Sequence, residues 1–108
     1  MSDRELDRRV AEVVMGLPIV PADDPYPNTY HVPGGGVGLF GDYSSDPAAA
    51  HRVIARMAEL GWWCEAFYEG TSPDWRVIFG NEKNIMLDSV GPFPLAVCKA
   101  ALAALEAK

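Results

Sequence analysis

Leu6, Val10, Val13 and Val14 recur at helical spacing, with Arg4, Arg8, Arg9 and Glu12 on the other face. Residues 2–15 therefore read as an amphipathic helix. Ser2 and Glu5 match a capping box at its start, and Gly16 followed by Pro18 stops it. A second helix is predicted over 47–60, with Asp46 as N-cap, Pro47 at its first position and Gly61 just past its end. Its buried stripe is Ala50, Val53, Ile54, Met57 and Leu60, leaving Arg52, Arg56 and Glu59 to water. The period then changes from helical to alternating. Residues 62–69 and 75–79 read as strands joined by Gly-Thr-Ser-Pro-Asp turn chemistry, and Ile85–Asp88 as a short third strand after a turn at 81–84. Large apolar groups occupy both faces of the first two strands, which predicts a sheet at least partly covered on each side. A last helix, Ala-rich, is expected over 94–107, with Leu95, Cys98, Leu102 and Leu105 on one stripe.

Residues 17–42 break this regularity. Five prolines and five glycines fall there, and only Thr29–Val32 and Val37–Phe40 suggest short extended pieces. The element order predicts an α+β fold, a helix–sheet–helix sandwich with a small, largely antiparallel sheet of three or more strands.

Composition narrows what such a chain can do. Its 108 residues are 49% hydrophobic and 22% charged, an ordinary globular balance, and the length predicts a single domain over 1–108 with a Pro/Gly-rich loop region at 17–42. No apolar run approaches the roughly 20 residues of a membrane span. The start Met1-Ser2-Asp3-Arg4-Glu5 is too charged for a signal peptide. A cytoplasmic location and no membrane partner are expected. The net charge of −6 argues against direct nucleic-acid binding, because a phosphate-tracking surface needs clustered cations.

Candidate chemistry is thin. Cys64 and Cys98 stand far apart, and neither they nor His31 and His51 show metal-ligand spacing, so no metal is expected. Gly36-Val37-Gly38-Leu39-Phe40-Gly41 matches a dinucleotide fingerprint literally. Pro33 and two glycines precede it, however, and the next helix opens only at Pro47, after Asp42 and Asp46, so no cofactor is expected. Trp62, Trp63, Phe67, Tyr68, Trp75 and Phe79 crowd the two central strands. With only Arg76 and Lys83 for cations over 62–91, they read as sheet core rather than as a stacking platform for bases. The pairs Asp23/Asp24 and Glu65/Glu69 read as solvated acids. No nucleophile–base pair can be nominated, and the expectation is of a protein that is not an enzyme.

Three stretches resemble a known family. Glu5 to Gly16, the entry Tyr43-Ser44-Ser45-Asp46-Pro47-Ala48-Ala49-Ala50, and Pro94 to Leu102 are similar, in order and spacing, to the small proteins with the phage alpha/beta/alpha sandwich domain. Leu17 stands where those proteins commonly carry tryptophan. The resemblance implies a bacteriophage or prophage origin and a helix–sheet–helix sandwich; it brings no activity, cofactor or site residue with it. The expected function is that of an accessory protein in the host cytoplasm that binds a host protein. An anti-defence inhibitor of the anti-CRISPR kind, docked on a nucleic-acid-binding component, is one version of it. Charge placement motivates this: residues 17–46 hold four acids and neither Lys nor Arg, and 62–91 carry a net −3. Asp23, Asp24, Tyr26, Tyr30, Asp42 and Trp75 are the candidate partner-binding residues, aromatics beside acids being the anchors such an interface uses. The alternatives are a sponge for a small molecule or nucleotide, and a phage accessory protein without an anti-defence role.

Overall fold

The computed structural model describes residues 3–19, 29–31, 37–68 and 73–106. The capping box at Ser2 lies outside them. Helix α1 spans Asp3–Arg9 and continues as a π-helical segment, Val10–Val14, whose wider turn is closed by the Met15 amide on the Val10 carbonyl at 3.0 Å. The expected regular helix is thus widened in its second half. Leu6, Val10, Ala11 and Val14 are buried, while Val13 is only half-buried.

Helix α2, Pro47–Glu59, is set by local chemistry. Asp46 is extended at φ −104° and ψ 116°, and its carboxylate accepts from the Ala48 amide at 3.0 Å. Pro47 follows where an N–H would lack a partner anyway. At the other end Gly61 takes φ +92°, which L side chains avoid. Ala50, Val53 and Met57 are buried as the stripe requires. Leu60, expected among them, is 41% exposed, because the helix ends at Glu59 and Leu60 leaves the helical screw at φ −85°, ψ 3°.

Strands β1 (Thr29–His31) and β2 (Val37–Leu39) pair antiparallel, with Tyr30 opposite Gly38. They fall on the two extended pieces read in the Pro/Gly-rich stretch. Residues 37–39 of the GxGxxG motif therefore lie in a paired strand instead of opening a helix, the geometry a dinucleotide fingerprint lacks.

The main sheet is an antiparallel meander of β3 (Trp63–Tyr68), β4 (Trp75–Gly80) and β5 (Met86–Gly91), in that order. β5 is longer than its sequence suggests and starts later. Asn81 shapes the turn before it, its Oδ1 accepting from the Lys83 and Ile85 amides at 3.0 and 3.2 Å while Asn84 adopts φ +61°. In register, Cys64, Phe79 and Leu87 share one face, and Glu65, Ile78 and Asp88 the other. Helix α3 (Phe93–Glu106) lies on β4 and β5 and packs against α2; α1 and the π-helical segment lie on α3 and α2. The fold is α+β, helices packed against an antiparallel sheet. Between them lies a core in which Phe79, Met57, Val53, Val77, Val97 and Cys98 are fully buried.

Cover was expected on both faces of the sheet; among the described residues the helices lie on one. On the outer face Trp63 and Phe67 are each 44% exposed and Met86 63%. The Trp63 ring lies across Gly80, where a Cβ would come within 2.1 Å of it. Among the described residues no helix is long and apolar enough to cross a membrane.

Candidate functional site

Helix α3 covers β4 and β5 closely, whereas α2 leans on α3 and meets the sheet only at β3. The gap left between α2 and β3 is a cleft of about 550 Å³. Pro47, His51 and Ile54 of α2 form one wall, Cys64 and Ala66 of β3 the other, and Trp75 and Phe93 the end. These rings pack on one another. Trp75 meets Phe93 edge-on at 5.3 Å, Phe93 lies 5.5 Å from His51, and Tyr68 covers Trp75 at 4.1 Å. The alternation of β3 puts Cys64, Ala66 and Tyr68 on this side, and register with β4 brings Tyr68 opposite Trp75. The size suits a small ligand or the apolar side chains of a partner.

Among the described residues no Lys, Arg, Asp or Glu lines the cleft, and His51 is its one side chain that could meet a phosphate. Burial, with Glu65 adding to it, pushes the Cys64 thiol above its ordinary value and keeps it protonated, a poor nucleophile. Cys98 lies elsewhere, fully buried on the inner side of α3. Burial first, then the nearby Asp7, pushes its thiol up to about 12. Among the described residues no three His, Cys, Asp or Glu side chains converge as a metal site would need.

Cys98 gives a measurable consequence. In the unfolded chain its thiol ionises from about 9.0, while the folded chain holds it neutral to about 12. Alkali therefore draws the chain toward unfolding across that window, at up to about 1.4 kcal/mol per pH unit. Tyr43, raised from 10.0 mainly by burial, steepens the loss at the upper end. Denaturation midpoints taken through pH 9 to 12 should fall with pH, and Cys98→Ala should flatten the fall. A midpoint indifferent to pH in that range contradicts the buried neutral thiol.

The structure distributes the sequence-derived candidates rather than collecting them. Asp23, Asp24 and Tyr26 lie outside the described residues. Asp42 is exposed, and its carbonyl accepts the Ser45 and Asp46 amides at 3.1 and 2.9 Å, closing the turn into α2. Tyr30 and Trp75, expected as exposed anchors, are half-buried. The Tyr30 ring is pressed on Gly38, and Trp75 faces inward among Tyr68 and Phe93. Exposed aromatics exist, but on β3: Trp63, Phe67 and Tyr68. Sequence reasoning assigned them to a covered sheet; their alternation with exposed Glu65 was the available signal that β3 meets solvent.

The Tyr-Ser-x-Asp-Pro-Ala-Ala-Ala stretch proves to be structural. Tyr43, Ala49 and Ala50 are buried, Asp46 caps α2, and the Ser44 amide donates to the buried Asp7 carboxylate at 2.7 Å. No protein-family model matches this chain, and no curated protein does. Its fold is shared with a solved phage protein from Bacillus cereus, at TM-score 0.78 and 18% identity over 98% of this chain and 89% of that one.

Proposed function

We propose that the chain is a phage- or prophage-encoded protein of the alpha/beta/alpha sandwich kind that works without catalysis, by binding a host protein. The observation that carries this reading is the exposure of four large apolar side chains on the outer face of one small sheet. Trp63, Phe67, Met86 and Val90 are each at least 44% exposed and share that face in register, a patch a protein ordinarily covers with a partner. The likeness in fold to a phage protein and the three family-like stretches support the origin. The net charge of −6 favours a basic partner, as a nucleic-acid-binding defence component would be, through steering and register rather than through raw affinity.

Affinity capture from host lysate tests this. The wild-type chain should retain one basic protein, Phe67→Ala with Met86→Ala should lose most of it, and Asp42→Asn should slow its capture. Equal retention by every form, or a co-purifying small molecule with no protein, defeats the reading.

A further inference from the structure

β3 is an edge strand of six residues, and among the described residues no strand pairs with its outer side. Every second residue of such an edge presents an N–H and a C=O to solvent. Of the devices that usually blunt an edge, Trp63–Tyr68 holds no Lys and no Pro, and Glu65 is its one charge. The same strand forms a wall of the aromatic cleft through Cys64 and Ala66, and between them Glu65 is exposed on the opposite face. Backbone groups awaiting partners, an apolar cavity on one face and a carboxylate on the other thus alternate along one strand.

We propose that β3 receives an extended segment of a partner protein as a fourth strand. Its apolar side chains enter the cleft at every second position, and a Lys or Arg between them lies beside Glu65. Strand addition supplies affinity through main-chain hydrogen bonds and specificity through alternate side chains, which is the division β3 offers. The cleft accepts residues of Leu, Met or Phe size against Trp75 and His51. The outer-face position selects a cation, as the charge of the whole chain also does. This deepens the binding reading above and rests on it.

The test titrates the isotopically labelled full chain with a capped peptide of about eight residues, the length of a typical strand, alternating lysine and leucine, kept below its own aggregation threshold. Amide resonances of residues 63–68 and the Trp75 indole N–H should shift together. A peptide N-methylated at alternate residues, on the edge facing β3, should bind at least about tenfold more weakly. Glu65→Lys should weaken the unmodified peptide by a similar factor, and a peptide with glutamate in place of lysine should bind the wild type more weakly. Ala66→Trp, which fills the cleft from a solvent-facing position, should weaken it as well. Equal binding of the N-methylated peptide overturns the proposal; shifts centred on Ile78 and Met86 overturn it too, and leave the reading of a partner docked on the outer face standing. No shift at all also overturns it, yet leaves the docking reading standing if lysate capture succeeds. Peptide binding at β3 with no protein captured condemns the host-protein reading instead.

Discussion

Phe79→Ala should lower the stability of the chain by about 3–5 kcal/mol, as truncation of a fully buried Phe does when its site cannot collapse. Phe79 is 0% exposed. It is flanked in register by Cys64 and Leu87 and roofed by α3, so none of its neighbours can move without breaking a ladder or a helix contact. Against a usual total of about 5–15 kcal/mol for a domain, that is a large fraction. Urea denaturation should show the midpoint falling with an unchanged slope. Trp63→Ala removes a larger ring from the outer face and should cost much less, since 44% of Trp63 is already exposed. Should the two substitutions cost the same, the assignment of an inner and an outer face is wrong.

Asp7→Ala should cost about 1–3 kcal/mol, the penalty for stranding a buried donor. The Asp7 carboxylate, on a residue 8% exposed, accepts the buried Ser44 amide at 2.7 Å. That bond ties the first helix to the turn that launches α2, across 37 residues of chain. Asp7→Asn keeps an acceptor oxygen of similar shape and should recover part of the loss. Removal of the exposed Glu12 carboxylate should stay within about 0.5 kcal/mol, the usual range for a surface site. An Asp7→Ala variant as stable as a Glu12→Ala variant would show that the tie carries no energy.

Elements whose determinants are local could be read from the residues in advance. Asp46, Pro47 and Gly61 bound α2 because a side-chain acceptor, a ring that fixes φ and a residue without Cβ act within one turn. Thr29–His31 and Val37–Leu39 were visible as β-branched and apolar pieces inside a Pro/Gly-rich stretch. The π-helical turn at Val10–Val14 was not, since apolar residues three and four apart serve an α-helix and a widened one alike. Leu60 was misplaced for a related reason: a periodic stripe does not say on which residue the helix stops.

The candidate site was hidden more deeply. Trp75, expected as an exposed anchor, is half-buried, and the cleft it ends exists only because α2 leans on α3 instead of on β3. No local pattern encodes that tilt. Likewise Trp63 and Phe67 alternate as sheet-core residues would, and among the described residues no helix packs on their face. The charge of Asp42 was evident from the sequence; its backbone role in closing the turn into α2 was not.

The central claim is that this protein binds through the β3 side of its main sheet. Hydrogen–deuterium exchange of the full chain, alone and with the host protein it captures, tests that most directly. Amides of residues 63–68 should gain protection in the complex, with smaller gains at Trp75 and in the first turns of α2. Protection that appears only around Asp42 and the β1–β2 pair, with 63–68 exchanging as in the free chain, would contradict the claim.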